Sequence, residues 1–215
     1  MNSRTDLPVP VGREQRKLHT RAQLMEAALS LLRNKSFTSL SLREVTRAAG
    51  VVPTAFYRHF DSMDELGLAE VEDSFRTLRE MIRSARADVA SFEHVIRDSV
   101  EIVVRQVRSN PDQFRFVVRE RHGGSPVLRD AIRAEIRLFG SELATDLARF
   151  PHLSGWNTED LQMMAGLIVN AMVSTAEAIV DAPPDSLRAE EDAIQAAEHQ
   201  LLLIALGVPH FRSDH

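Results

Sequence analysis

The sequence predicts an all-α fold in which a small three-helix module precedes a larger helical body. Apolar residues recur at spacings of three and four along most of the chain, which gathers them on one face of a helix, and no useful length alternates apolar with polar residues as a half-buried strand would. Helix punctuation separates these stretches: Ser41 with Glu44, Gly50, Pro53, Asn110-Pro111, Ser125-Pro126 and Pro183-Pro184.

Residues 1 to 15 contain two prolines and a glycine without apolar period and predict a mobile arm. Leu24, Ala27, Ala28, Leu31 and Leu32 then share a face, and Thr20 with Gln23 has the form of a capping box, so a first helix is expected from about Arg21 to about Asn34. Ser41 with Glu44 repeats the signature. Leu42, Val45, Ala48 and Ala49 follow until Gly50, which suits the left-handed end of a very short second helix. A third helix starts near Pro53, whose fixed φ fits a first helical position, and stops before Asp61. Asp61 or Ser62 caps a long helix with Asp64 and Glu65 in its first turn and Val71, Phe75, Leu78 and Ile82 as its stripe. Further helices are predicted near 91 to 109, 111 to 121, 126 to 149, 158 to 181 and 187 to 206, with Thr158 opening the fourth of these.

The 215 residues carry a net charge of -5 that hides two opposite parts. Residues 1 to 60 hold ten Lys or Arg against four Asp or Glu, whereas the remainder holds sixteen against twenty-seven. A basic head on an acidic body confines contact with a polyanion to one end. The absence of cysteine excludes disulfides, thiol nucleophiles and thiolate metal sites. No run approaches the roughly 18 consecutive apolar residues of a membrane span, and no signal peptide is apparent, so a cytoplasmic protein without a membrane role is expected. The domains are drawn at 1 to 62 and 63 to 215.

A short helix ending at glycine, a tight turn and a second short helix form the arrangement that places the second helix in a major groove. On that second helix Thr54, Ala55 and Arg58 can face outward while Phe56 and Phe60 pack inward. Tyr57 and His59 lie between these faces and suit phosphate oxygens; Arg43, near the start of the second helix, is a similar contact. Small Thr54 and Ala55 let the helix approach base edges. Arg16, Lys17 and Arg21 can reach adjacent phosphates or a minor groove from the arm.

Residues 20 to 62, with "LSLREVTRAAGVVPTAFYRHFDSMDEL" at their heart, resemble the N-terminal domain of TetR-type transcriptional repressors. One departure is Val52, where members of that family often place a serine that caps the recognition helix. The resemblance implies a larger C-terminal domain that dimerises and binds a small effector, whose binding changes the spacing of two recognition helices. The last two long helices have the apolar content to pair as an isologous four-helix bundle, with Gly166, Ala171 and Ala176 permitting close approach. "NPDQFRFVVRERHGGSPVLRDAIRAEIRLF" and "PTAFYRHFDSMDELGL" further resemble the FabR and DesT type, regulators of unsaturated fatty acid synthesis that respond to long-chain acyl thioesters; this likeness extends to about residue 148.

The implied effector, a long-chain acyl-coenzyme A, needs an apolar slot and cations for its phosphates. Phe114, Phe116, Leu138, Phe139, Met164, Ile168 and Met172 are the candidate slot residues, although apolar stripes on helices are more often ordinary core. Arg119 and Arg121 can hold the head group or pair with Glu120 or Asp130. Two alternatives stay open: another hydrophobic effector, such as a drug or metabolite, and a lipid-binding protein without DNA function. An enzyme is not expected. His122-Gly123-Gly124 superficially resembles an oxyanion loop, yet there is no G-x-S-x-G elbow, no H-E-x-x-H metal site and no phosphate-binding glycine loop. No catalytic residue, metal or resident cofactor is assigned.

Overall fold

The computed structural model describes residues 12–86, 92–183, 186–211 and 213. Within them nine α-helices and one 3-10 turn make up the regular structure, with no strand among the described residues. One long and two short helices form the head: α1 (Arg13–Leu32), α2 (Leu42–Ala48) and α3 (Pro53–Phe56), with the 3-10 turn Phe37–Ser39 between the first two. The body comprises α4 (Met63–Arg86), α5 (Phe92–Ser109), α6 (Pro111–Arg121), α7 (Pro126–Leu147), α8 (Thr158–Asp181) and α9 (Leu187–Gly207).

Local signals act where the sequence places them. Ser41 accepts from the Glu44 N–H at 3.3 Å while the Glu44 carboxylate accepts from the Ser41 N–H at 3.0 Å, a complete capping box at the start of α2. Gly50 follows α2 at φ 68°, the left-handed conformation that turns the chain toward α3. Ser62 takes the capping role at α4, accepting from the Glu65 N–H at 3.1 Å, and Glu65 reaches back to the Asp61 N–H.

The first helix begins eight residues earlier than expected, at Arg13 rather than Arg21. Thr20 lies inside it and donates to the Arg16 carbonyl at 3.1 Å, the back-bonding of a mid-helix threonine, so the pairing of Thr20 with Gln23 is no capping box. The expected arm is thus helical from residue 13, and residues 1 to 11 lie outside the described residues. α8 starts at Thr158 as expected, and Asn157 before it is the cap, accepting from the Asp160 N–H at 2.8 Å. Of the separator Pro183-Pro184 only Pro183 is described, and the side chain of Ile82 likewise lies outside.

One apolar core runs through the head and into the body. Leu24, Ala28 and Leu32 of α1, Val45 of α2, Phe56 and Phe60 meet Leu66 and Phe75 of α4, Phe116 of α6, and Leu128, Ile132 and Phe139 of α7. Behind it α7, α8 and α9 stack in order, and α5 closes against α8 and α9. By length and composition α8 is apolar enough to cross a membrane, with a mean hydropathy of 1.6 over 18 residues, yet it packs between α7 and α9. Among its exposed positions, Met163, Leu167, Asn170, Ser174 and Ala178 fall at helical spacing along one face. Ala171 and Ala176 face the other way, buried against α5, so they do not contribute to that outer face.

Glu70 on α4 is 1% exposed, and neither carboxylate oxygen has a hydrogen-bond partner among the described residues. Burial, then the neighbouring Asp73, push its carboxyl up to about 8, and Arg21 opposes the rise. A raised carboxyl favours the folded state while protonated, so its contribution fades as pH climbs from the ordinary 4.5 through about 8. Glu70→Gln is therefore expected to raise the melting temperature at pH 8 and to flatten its dependence on pH over that window, as followed by circular dichroism.

Candidate DNA interface and effector cavity

At the head, α2 braces the turn and α3 presents its start to solvent. Phe56 and Phe60 are buried, with ring centroids 5.6 Å apart, and they fix the phase of the whole segment. Tyr57 forms a T-shaped pair with Phe56 at 5.7 Å and is 60% exposed, so its ring is anchored on one side while most of the side chain is open to solvent. Thr54, Arg58 and Arg43 are exposed and Ala55 is half-buried. Val52 precedes Pro53 with no side-chain cap and is 64% exposed, an apolar group at the tip of the recognition segment that sequence reasoning treated only as a missing cap. Arg47, exposed in the last turn of α2, was also missed, because a single arginine at a helix end carries no distinguishing pattern.

Arg16, Lys17 and Arg21 belong to α1 and not to an arm. Arg16 and Lys17 are exposed, while Arg21 is half-buried with its guanidinium 4.7 Å from the Phe60 ring centre and Nη1 donating to Met25 Sδ at 3.0 Å. This helical placement sets Lys17 and Arg21 near Arg58 and His59. Burial, then Lys17, Arg21 and Arg58 in that order, lower the His59 imidazole from its ordinary value of 6.5, and its buried Nδ1 has no partner among the described residues. The cluster is a concentration of positive charge spanning α1 and the turn after α3.

In the body, a cavity of about 140 Å³ lies among α4, α5, α6, α7 and α8. Phe75 and Leu78, Val103, Phe114 and Val117, Ile136 and Phe139, and Ile168, Val169 and Met172 form its apolar wall. Ser74, Ser99 and Gln113 add polar groups, and Arg121 with Glu177 stands at one edge. Arg121 Nη1 and Glu177 Oε1 are 2.5 Å apart, and His122 Nε2 is 3.7 Å from the same oxygen.

Four of the nine sequence-selected effector residues reach the wall through apolar side chains (Phe114, Phe139, Ile168 and Met172), and Arg121 reaches it through its charge. The other four do not. Phe116 turns to the opposite side of α6, buried against Phe37 with ring centroids 6.3 Å apart. Leu138 is 45% exposed on the outer face of α7, and Met164 is core between α7 and α8 near Leu153 and Leu161. Arg119 donates to the Leu32 carbonyl at 2.9 Å and the Lys35 carbonyl at 3.0 Å, closing the end of α1 instead of facing a ligand. Neither arginine takes the partners expected for it, since Arg121 pairs with Glu177 and Asp130 pairs with Arg133.

The residue between them works on the head as well. Buried Glu120 accepts from the Phe37 N–H at 3.0 Å, and its other oxygen lies over Gly123, where a Cβ would collide with the carboxylate. The turn Gly123-Gly124 is thus not an oxyanion loop but a close approach between α6 and the head. Three successive side chains of α6 therefore join two on the head to one on the cavity. At the other end of α6, Asp112 accepts from Arg33 Nε at 2.8 Å.

A cationic helix-turn-helix head joined to an effector cavity by shared helices defines the class of ligand-responsive, DNA-binding transcription regulators. Residues 24–69 match the family model described as bacterial regulatory proteins, tetR family, and residues 92–207 match that of the tetracyclin repressor-like C-terminal domain. The chain belongs to the TetR family, whose members regulate transcription and are not enzymes. Solved structures share the fold. The fatty acid degradation regulator FadR from Bacillus halodurans superposes with a TM-score of 0.71 at 15% identity, over 85% of this chain and 94% of that one. A TetR-family transcriptional regulator from Streptomyces coelicolor gives 0.67 at 23% identity, over 87% and 97%. A transcriptional regulator from Pseudomonas aeruginosa gives 0.66 at 21%, over 94% and 97%.

The charge cluster makes a measurable statement about the free protein. In an NMR titration His59 is expected below its ordinary 6.5, and Lys17→Gln should raise it without restoring it fully, because burial is the larger cause.

Proposed function

We propose that the chain is a dimeric repressor that binds a palindromic operator in the cytoplasm and responds to a long-chain acyl-coenzyme A, controlling fatty acid desaturation or unsaturated fatty acid synthesis. The observation that carries this reading is the apolar cavity with an arginine at its edge, tied through α6 to the DNA-binding head. The outer face of α8 with exposed Leu202, Leu203 and Leu206 of α9 supplies the apolar surface on which a second copy pairs. On the operator, Tyr57, His59, Arg58, Lys17 and Arg43 hold phosphates, with Arg16 and Arg21 beside them, while Thr54, Ala55 and Val52 approach base edges; the methyls of Val52 suit a thymine methyl. The Bacillus halodurans structure, named for a regulator of fatty acid degradation, is consistent with an acyl effector.

The cavity volume favours a second reading. About 140 Å³ is close to the roughly 150 Å³ of an engineered cavity that admits benzene, and a long acyl chain needs several times that space. A compact hydrophobic metabolite fits this conformation directly, whereas an acyl thioester binds only as the surrounding helices part. That requirement supplies the differential affinity by which a ligand shifts a population.

Replacing Tyr57 with Phe and His59 with Ala is expected to weaken operator binding in fluorescence anisotropy by about two- to tenfold each, uniformly across operator sequences. Unchanged affinity in both variants removes the phosphate assignment. For the effector, calorimetry at micromolar protein is expected to show saturable heat with oleoyl- and palmitoyl-coenzyme A. No heat with either overturns the acyl reading in favour of the compact metabolite.

A further inference from the structure

The charged pair at the cavity edge has a geometry beyond that of a lining. Glu177 of α8 receives Arg121 at 2.5 Å and has His122 at 3.7 Å, so two nitrogen donors on α6 and its turn converge on one carboxylate. Both partners of the ion pair are about a quarter exposed, which leaves Glu177 able to swing into water. Arg129, the next cation along, is occupied by the Gly123 carbonyl at 2.5 Å. The edge of an apolar cavity thus holds a carboxylate in the position an anionic ligand head would take.

We propose that Glu177 is a built-in stand-in for the effector's anion: an amphiphile with a carboxylate or phosphate head displaces Glu177 from Arg121 while its apolar part enters the cavity. This inference rests on the hydrophobic-effector reading above and specifies the head that such an effector carries. Displacement also has a path to the DNA-binding head. Arg121 is the last residue of α6 and directly follows Arg119 and Glu120, which hold the Leu32 and Lys35 carbonyls and the Phe37 N–H. An anion that draws Arg121 away from α8 re-aims the end of α6, and the three bonds that set the end of α1 move with it. The ion pair is then a latch holding the ligand-free spacing of the head.

Oleate and methyl oleate share a chain and differ in the charge of the head, so they are the probes. Calorimetry on the full chain is expected to show oleate binding about tenfold or more tightly than methyl oleate. Arg121→Gln should erase that ratio, and Glu177→Gln should tighten oleate binding by removing the competitor. In anisotropy without ligand, Glu177→Gln should shift operator affinity in the direction that oleate shifts the wild type. Circular dichroism melts establish that both variants are folded, and Glu177→Gln keeps the side-chain shape should Arg121→Gln fail to fold. Equal binding of oleate and methyl oleate overturns the anion-head inference and leaves the acyl reading standing. Binding of neither overturns the anion-head inference, and the acyl reading then falls or stands by the heat seen with oleoyl- and palmitoyl-coenzyme A. A ligand-free Glu177→Gln protein with wild-type operator affinity overturns the latch.

Discussion

A single buried hydrogen bond, from the Phe37 N–H to the Glu120 carboxylate, sits where the two functional halves of this regulator meet. Phe37, which opens the 3-10 turn joining α1 to α2, is buried in the core while Thr38 and Ser39 are exposed, and a backbone donor enclosed there without a partner costs on the order of 1–3 kcal/mol. No residue near in sequence provides the acceptor. Glu120 arrives from 83 positions away, and its approach depends on the bare backbone of Gly123 beneath it and on Phe116 packing against the Phe37 ring. α6 therefore supplies the polar tie of the helix-turn-helix to the body, beside the apolar core that the head shares with α4 and α7. Exposed Arg33 with Asp112 adds a contact at the other end of α6, but solvent screening makes it the weaker tie.

This construction lets a small cavity influence a distant surface. Phe114 and Phe116 are two residues apart on α6, and they face the cavity and the head respectively. α4 spans the same interval: Leu66 belongs to the core beneath α3, while Phe75 and Leu78 line the cavity. A ligand that widens the cavity must move helices that also frame the head, because a close-packed core transmits such displacements instead of absorbing them. The direction of the effect on operator affinity follows from which spacing the ligand binds more tightly.

Electrostatics divides the arginines by role. Those of α1, with Arg58 in the turn after α3, concentrate positive charge at one end, and His59 is disfavoured as a cation there until an anion arrives. The arginines of α6 are spent on structure or on the cavity edge. Arg119 satisfies carbonyls that the end of α1 leaves open, whereas Arg121, two positions on, meets Glu177. Two residues of one type and two positions apart thus take unrelated tasks.

What the sequence determined by itself was everything governed by neighbours in the chain. The Ser41 and Glu44 box, the left-handed Gly50, the first-turn Pro53, the inward Phe56 and Phe60, and the bounds of α6 and α8 all follow from interactions within about four residues. The start of α1 did not, since Thr20 can cap a helix or back-bond within one and the local pattern is the same. Only the tertiary structure decided which apolar stripe meets which neighbour. Leu138 and Phe139 are adjacent on α7, yet one is exposed and the other lines the cavity; Met164 and Ile168 lie one turn apart on α8, yet one belongs to the distal core. Periodicity reports that a helix has an apolar face. The angle and height at which helices cross determine whether that face meets core, cavity or a second copy, and those come from contacts made far apart in the chain.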